Sequence, residues 1–219
     1  MLVQIYEVQT PEEAAALARL GVDHLGVLVG DGAFPRELSI DQTNAIFATV
    51  PAGTKRVALS LSTDLKEVAR VVQETRPDII QVQAAIEDFS VAMTRALKTR
   101  FPQIRIMRAI PVIDQTSIET AALYQGAADF LLLDSWDPGT GQFGALGRVH
   151  DWRLSRRIVE DVAIPVILAG GLGPENVAEA IAVVRPAGVD LKTRTDRLDR
   201  SGKDLAKVAS FVATAKLTR

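Results

Sequence analysis

Short apolar runs alternate with longer amphipathic segments along the whole chain. The runs Phe130–Leu133 and Val166–Leu168 are continuously apolar, which is typical of parallel strands that are buried on both faces. The pattern predicts eight strands: Leu2–Val8, His24–Val29, Lys55–Leu61, Asp78–Gln83, Ile104–Ala109, Asp129–Asp134, Pro165–Ala169 and Gly188–Leu191. A segment of helical periodicity follows each of them, and these segments predict eight helices: Pro11–Leu20, Asp41–Ala48, Thr63–Glu74, Asp88–Thr99, Ser117–Gln125, Asp151–Glu160, Pro174–Val184 and Lys203–Ala215.

Regular alternation of strand and helix predicts a parallel sheet, and eight such units predict closure into a (β/α)8 TIM barrel. The alternative is an open, doubly wound sheet, which usually has a glycine-rich turn after its first strand. Here the first strand continues into Tyr6-Glu7-Val8-Gln9-Thr10, without glycine. No linker or low-complexity segment interrupts the pattern, so we expect one TIM-barrel domain over residues 1–219.

Composition excludes several classes of function. The 219 residues carry a formal net charge of −2, so electrostatics give no reason to expect a nucleic acid or an anionic membrane as partner. The chain contains no cysteine and two histidines, which excludes disulfides, thiolate metal ligands and a cysteine base. One histidine at the active end makes no metal site, so we expect no metal. The N-terminus does not resemble a signal peptide and no apolar run is long enough to span a membrane, so we predict a cytoplasmic protein.

In a barrel of this kind the chemistry lies at the C-terminal ends of the strands. Asp134 is the clearest candidate, since it follows the apolar run Phe130–Leu133 and its carboxylate emerges at the mouth of the core. Apolar surroundings raise the pKa of a carboxyl group, which suits a general acid. A cap for the following loop and a partner for a neighbouring arginine are the alternatives, and strand parity does not separate these interpretations.

Gly170–Asn176 is a glycine-rich loop that leads directly into a predicted helix. Glycines allow the backbone to approach an oxyanion, and a helix N-terminus offers free N–H groups. We therefore expect Gly170 and Gly171 to bind phosphate, although a tight turn would require the same residues. Asp190, Lys192 and Arg194 lie at or after the last strand and are candidates for the same phosphate site. The charge-dense segment around Lys192 is also compatible with an ordinary solvated face.

Four further residues are candidates for substrate binding. Arg36 follows Pro35 in the loop after the second strand and could bind a carboxylate or phosphate. Gln81 and Arg108 lie near the ends of their predicted strands. His150 closes Ser135–His150, a long irregular segment that we interpret as a functional lid.

The C-terminal half resembles phosphoribosylanthranilate isomerase. The motifs that carry the resemblance are Asp129–Ser135, His150–Trp152, Pro165–Val177 and Gly188–Asp190, and Pro35-Arg36 with Gln81-Val82-Gln83 extends it more weakly into the N-terminal half. Members of that family convert an aminoaldose phosphate to the aminoketose by an Amadori rearrangement, without a metal or organic cofactor. The resemblance implies that Asp134 is the general acid on the ribose ring oxygen, Arg36 faces the anthranilate and Gly170-Gly171 forms part of the phosphate site.

The first strand departs from the family pattern. The family's base is a cysteine within Lys-x-Cys-Gly, and this chain has Gln4-Ile5-Tyr6-Glu7 there, so that Tyr6 replaces the cysteine. A tyrosine has a pKa near 10 and is a poor base at neutral pH. Glu7 lies beside it, but strand alternation directs its side chain elsewhere unless the backbone turns at that residue.

Two loops also depart from the family. The family's Ser-Ser-Gly after the last strand reads Lys192-Thr193-Arg194, so that cationic side chains could replace backbone contacts to phosphate. The family's Gly-Lys/Gln in the long loop aligns either with Gly147-Arg148 or with Gly141-Gln142.

Three hypotheses follow. The first is a tryptophan-biosynthetic isomerase of phosphoribosylanthranilate with an altered base. The second is a divergent isomerase, epimerase or lyase of another sugar phosphate. Asp134 and Tyr6 are the catalytic candidates, and in the second hypothesis they are the acid/base groups. The third is a non-catalytic barrel that binds a phosphorylated metabolite or a partner protein. We adopt the first, with a phosphorylated small molecule as partner and a monomeric or homodimeric state.

Overall fold

The computed structural model describes residues 1–199 and 201–218, and within them eight parallel strands close into a barrel. Each strand pairs with its successor in the chain, and β8 pairs with β1. The strands are β1 (Leu2–Ile5), β2 (His24–Leu28), β3 (Lys55–Ser60), β4 (Ile79–Val82), β5 (Arg105–Val112), β6 (Phe130–Ser135), β7 (Val166–Leu168) and β8 (Gly188–Leu191). The predicted (β/α)8 barrel is confirmed.

One helix follows each strand and packs against the outside of the barrel. The helices are α1 (Pro11–Arg19), α2 (Ile40–Phe47), α3 (Leu65–Thr75), α4 (Val91–Arg100), α5 (Thr116–Leu123), α6 (Trp152–Asp161), α7 (Val177–Val184) and α8 (Leu205–Leu217). A short 3₁₀ helix, Thr193–Thr195, follows β8. Side-chain caps begin most of the helices, for example at α2, where Ser39 and Gln42 form a reciprocal capping box. Among the described helices, none combines the length and the apolar character that crossing a membrane would require.

Two strand ends differ from the prediction by three residues, and both affect the site. β1 ends at Ile5 rather than Val8, because the backbone turns at Glu7, whose φ is +59°. β5 extends to Val112 rather than Ala109 and includes a proline at position 111.

The hydrophobic residues form two separate clusters. The larger one fills the space between the strands and the surrounding helices. The smaller one fills the barrel interior and includes Tyr6, Leu28, Val57, Leu59, Ile79, Met107, Ala109, Phe130, Leu132, Ile167 and Ala169. The polar residues at the mouth of the barrel, where the strands end, lie directly on this interior cluster.

Gly26 on β2 makes room for the Tyr6 ring, since a Cβ at Gly26 would overlap that ring. We expect Gly26→Ala to lower the free energy of unfolding by about 1–3 kcal/mol, the usual cost of overpacking a core. Gly53→Ala is the matched control, because a Cβ at Gly53 meets no atom within 4 Å. Urea unfolding of both variants measures the difference.

The cost of Gly26→Ala should fall when the tyrosine is truncated. In a Tyr6→Ala background the ring is absent, so the two substitutions should be clearly non-additive. Additive free energies of unfolding would show that Tyr6 does not fill this space.

Candidate active site

A group of polar side chains lies directly above the interior cluster, at the C-terminal ends of the strands. Strand parity directs them inward, and they are Tyr6, Gln81, Gln83, Asp134, Asp190 and Lys192. Chain segments far apart in sequence therefore meet at one face of the barrel, as expected for a parallel (β/α)8 fold.

Asp134 ends the apolar part of β6 and is 8% exposed. Burial raises the pKa of its carboxyl group to about 6, against the opposing effect of hydrogen bonds from Ser135 and of the Lys192 charge. The Ser135 N–H donates to Asp134 Oδ1 at 2.7 Å. A carboxyl group with a pKa near neutrality can supply a proton to a substrate at physiological pH.

Asp190 on β8 is a second buried carboxyl group at the mouth. Burial, followed by the negative charge of Asp134, raises its pKa to about 8. It accepts a hydrogen bond from Gln4, which replaces the lysine of the family pattern and therefore supplies no counter-charge. Asp190 is thus mainly uncharged at neutral pH, and the two carboxyl groups do not both carry charge.

The raised pKa of Asp190 predicts how stability changes with pH. Between the ordinary aspartate pKa near 4 and about 8, the folded state holds a proton that the unfolded state releases, so stability falls as pH rises through this range. Asp190→Asn should remove this loss of stability. The difference in the free energy of unfolding between variant and wild type should therefore shift in favour of the variant by more than about 1.4 kcal/mol from pH 5 to pH 8, the equivalent of one pKa unit. Urea unfolding at both pH values tests this, and an equal difference at both would contradict it.

A chain of hydrogen bonds connects β1 to the long loop after β6. The Tyr6 hydroxyl donates to Gln81 Oε1 at 2.6 Å, and Gln81 Nε2 donates to Gln83 Oε1 at 2.8 Å. Gln83 Nε2 then donates to the Phe143 carbonyl at 3.2 Å. Burial raises the pKa of Tyr6 well above its ordinary value, so the phenol is a hydrogen-bond donor at neutral pH and is not suited to act as a base.

The long loop covers the mouth of the barrel. Phe143 packs on the interior cluster, and a Cβ at Gly144 would lie 2.5 Å from Asp134 Oδ2. Trp136 and Phe143 form an isolated antiparallel bridge, which folds the intervening residues back as an exposed turn. The loop therefore has the position of a lid, and any substrate of Asp134 must pass it.

His150 lies between the lid and the loop after β7. A Cβ at Gly170 would be 2.8 Å from His150 Nδ1 and 3.3 Å from Asp134 Oδ1, so the two side chains are neighbours. His150 Nε2 is 2.7 Å from the Ser155 hydroxyl. Burial lowers the pKa of His150 to about 4, which makes it a neutral imidazole at physiological pH.

Glu7 and two cations form a cluster at the β1 side of the mouth. The Glu7 side chain is 7% exposed and pairs with Arg36 Nε at 2.9 Å. Its other carboxylate oxygen pairs with Lys192 Nζ, and Arg36 also donates to the Glu7 carbonyl. The turn of the backbone at Glu7 directs this side chain into the site, whereas a regular strand would have directed it to the helices.

The loop after β7 contains two consecutive glycines in the left-handed conformation. Gly170 and Gly171 have φ values of +82° and +62°, which glycine adopts without strain. Asn176 holds the loop by accepting from the Gly173 N–H and donating to the Gly171 carbonyl. Gly171 also lets Arg148 and Val149 pack closely, since a Cβ would lie 2.5 Å from the Arg148 carbonyl carbon.

The contact of Gly171 with Arg148 bears on the two alignments of the long loop. Gly147 packs against Thr193, whereas Gly141 is exposed and has no atom within 4 Å of a Cβ position. The pair Gly147-Arg148 therefore lies beside the candidate phosphate loop and Gly141-Gln142 does not.

The two cations after β8 have different surroundings. Lys192 faces the mouth and interacts electrostatically with Asp134 and Asp190. Arg194 pairs with Glu175, which precedes α7. Arg194 therefore neutralises an acidic residue beside the glycine loop, and Lys192 is the better-placed cation for a bound anion.

Arg108 does not join the site, which corrects the expectation that it binds substrate. β5 continues to Val112, so Arg108 lies in the middle of the strand. It faces the helices because its side chain alternates with those of Met107 and Ala109, which point into the barrel interior. Its guanidinium is completely buried and donates to five backbone carbonyls, those of Val82, Ala84, Ala85, Phe89 and Ala109.

Three residues of the site, Gln83, Asp196 and Lys203, were not among the site residues predicted from the sequence. Gln83 is recognisable only as a polar residue at a strand end. Asp196 and Lys203 form a buried ion pair at 2.6 Å, and Lys203 Nζ donates to the Lys192 carbonyl at 3.1 Å. No local pattern reveals this support for Lys192, because its members lie in an irregular segment. Among the described residues, no cluster of three or more histidine or acidic side chains could hold a metal ion.

Several known proteins that are similar to this chain are phosphoribosylanthranilate isomerases. The model of a family described as N-(5'phosphoribosyl)anthranilate (PRA) isomerase matches residues 3–214. An N-(5'-phosphoribosyl)anthranilate isomerase of Methanocella arvoryzae is 36% identical over 218 residues, 99% of both chains, and the second such isomerase of Methanosarcina mazei is 34% identical over 99% of this chain and 94% of its own. The crystal structure of phosphoribosyl anthranilate isomerase from Thermus thermophilus superposes with a TM-score of 0.83 at 25% identity, covering 100% of both chains.

Proposed function

The chain belongs to the N-(5'-phosphoribosyl)anthranilate isomerase family, and we propose that it converts phosphoribosylanthranilate to the aminoketose phosphate in tryptophan biosynthesis. The observation that carries the proposal is the buried carboxyl group of Asp134, with its pKa raised to about 6, beside the glycine loop Gly170-Gly171. The two alternatives, an enzyme for another sugar phosphate and a non-catalytic barrel, are not favoured, because the relatives compared above are isomerases of this substrate.

Asp134 supplies the proton for ring opening in this proposal. Protonation of the ribose ring oxygen makes it a better leaving group, so the C1–O bond breaks as the amine nitrogen forms a double bond to C1. Burial favours the neutral carboxyl group, which is the form that donates. The lid of Phe143 and Gly144 excludes water from the acid once a substrate lies beneath it.

The phosphate is assigned to the loops after β7 and β8. Gly170 and Gly171 have left-handed backbones and carry no side chains of their own, which supports the approach of an oxyanion to the backbone. Lys192 adds a positive charge at the same side of the mouth. His150, half-buried beside Gly170, is placed to contact the sugar.

Arg36 is assigned to the anthranilate carboxylate. Its guanidinium pairs with Glu7 and lies 4.0 Å from Asp196, so a substrate carboxylate must compete with these acidic residues. A planar guanidinium can bind two anions at once through different N–H groups, which allows Arg36 to contact both Glu7 and a substrate.

The test is the loss of phosphoribosylanthranilate fluorescence when purified protein is added. The protein should be made in a host that lacks its own isomerase, so that a contaminant cannot produce the signal. We expect turnover by the wild-type chain and none above background with Asp134→Ala. No turnover by the wild-type chain would refute the proposed reaction and leave the fold assignment unchanged.

A cytoplasmic location and a monomeric or homodimeric state stay predictions. Light scattering coupled to gel filtration measures the second directly.

A further inference from the structure

β1 delivers an acidic residue where the family pattern has none. Within Gln4-Ile5-Tyr6-Glu7, Tyr6 takes the place of the family's cysteine and Glu7 the place of its glycine. We propose that Glu7 is the general base of the isomerisation and that it removes the proton from C2 of the ring-opened aminosugar. This inference rests on the function proposed above.

The backbone of Glu7 is held in an unfavourable conformation. Its φ of +59° lies in the left-handed region, which costs a non-glycine residue about 1 kcal/mol or more. Such conformations persist where the surroundings impose them and are concentrated at functional sites. Here Lys192 and Arg36 hold the carboxylate. The turn is therefore locally unfavourable, but it directs the carboxylate into the mouth.

The other titratable groups at the mouth are less suited to take a proton. The Tyr6 hydroxyl is a donor to Gln81 and its pKa is raised. Asp190 holds its proton at neutral pH, since its pKa is about 8. His150 has a pKa near 4 and lies beside Asp134, on the side of the acid.

Glu7 and Asp134 lie at separate positions around the mouth. In the closed barrel β7 and β8 separate β6, which carries Asp134, from β1, which Glu7 follows. Lys192, directly after β8, connects the two, because it pairs with Glu7 and also interacts with Asp134. An acid and a base at separate positions around one mouth can act on the ring oxygen and on C2 of one bound sugar.

The proton balance closes with these two groups. After Asp134 has protonated the ring oxygen, Glu7 takes the C2 proton, and the C–H electron pair forms the C1=C2 bond while the nitrogen becomes neutral. The C2 hydroxyl then returns a proton to Asp134 as the C2=O bond forms, and Glu7 gives its proton to C1. Both carboxyl groups regain their starting states, and the rearrangement is redox-neutral.

Substrate binding itself releases the base. Glu7 pairs with both cations of its cluster, and the phosphate and carboxylate of the substrate are competing anions for Lys192 and Arg36. When they bind, the Glu7 carboxylate gives up part of its pairing with these cations and becomes free to face C2 of the sugar.

The first experiment replaces the carboxylate by an amide. We expect Glu7→Gln to lower kcat by about 10²-fold or more, the usual contribution of a general base, with a smaller change in KM. Glu119→Gln, an exposed position on α5, is the matched control and should retain full activity. Glu7→Asp should keep partial activity and show an increased deuterium isotope effect with C2-deuterated substrate, since the shortened side chain slows proton abstraction specifically.

A second variant separates a chemical role from a structural one. Glu7→Gly relieves the left-handed backbone, so the fold should be kept while turnover is lost. Adding Tyr6→Cys to this variant recreates the family's Cys-Gly pair and should raise kcat at least tenfold above that of Glu7→Gly alone. Wild-type-like turnover by Glu7→Gln or by Glu7→Gly would overturn the assignment of the base and leave the proposed function intact.

A measurement that does not depend on turnover distinguishes failure of the proposed function from failure of the assignment of Glu7 as the base. The base should also exchange the C1 protons of chemically prepared aminoketose phosphate with D2O, as followed by proton NMR, and Glu7→Gln should abolish this exchange. If the wild-type protein exchanges these protons without turning over phosphoribosylanthranilate, the proposed function fails and the base stands. If it does neither, both fail.

Discussion

Asp134→Asn is expected to lower kcat by about 10²–10⁴-fold, the range that general acid catalysis contributes. Asparagine has the same shape and can still accept the Ser135 N–H that Asp134 accepts at 2.7 Å, so the fold and the lid should be preserved. It has no carboxyl proton to donate to the ribose ring oxygen. Substrate binding should therefore change little, and the loss should be mainly in kcat.

The pH dependence of kcat/KM gives an independent test of Asp134 as the general acid. A general acid works in its protonated form, and the pKa of Asp134 in the free protein is about 6. We therefore expect kcat/KM to fall as pH rises above about 6, and Asp134→Asn to remove this dependence. The charged or titratable groups that face Asp134 are Lys192 and Asp190. The fall in kcat/KM therefore reports the titration of these interacting groups together.

Asp161→Asn, at the exposed end of α6, is the matched control for charge and amide chemistry. It should leave both kcat and the pH profile unchanged. Retention of more than about a tenth of the activity by Asp134→Asn would show that another group protonates the ring oxygen.

Arg108→Met has the largest expected effect on stability. The substitution leaves the backbone carbonyls that Arg108 serves, including Val82 and Ala84, buried without their donor. Each buried acceptor without a partner costs about 1–3 kcal/mol, so we expect a loss of about 3 kcal/mol or more in the free energy of unfolding. Burial lowers the pKa of Arg108, which reflects the cost of keeping a charge there, and removing that charge offsets part of the loss.

Urea unfolding measures this effect, with the exposed Arg95→Met on α4 as the control that should change stability by less than about 0.5 kcal/mol. Activity distinguishes the two interpretations of Arg108. The folded fraction of Arg108→Met should have a normal KM, because the guanidinium faces the helices and not the mouth. An increased KM with unchanged stability would restore the original expectation that Arg108 binds substrate.

The sequence was sufficient to predict the barrel and the burial of Asp134 at the end of an apolar strand. Short strand-like runs alternate with segments of helical periodicity, so local periodicity identifies all eight strands and all eight α-helices in order. Asp134 follows from the same information, because its burial is a direct consequence of ending the apolar run Phe130–Leu133. The glycine loop at Gly170 is likewise recognisable from composition and from its place before a helix.

Tertiary structure decided which polar side chains meet. Arg108 lies within β5 and faces the helices, because its side chain alternates with those of the inward-facing Met107 and Ala109. Glu7 faces the mouth because the backbone turns there. The pairing of Glu7 with Arg36 and Lys192 joins β1, β8 and the loop after β2, which no local pattern connects. Likewise, the pKa of Asp190 depends on the Asp134 charge and on burial, and both arise only when the barrel closes. Periodicity is a local property of the chain, whereas the electrostatics of a site depend on distances across it.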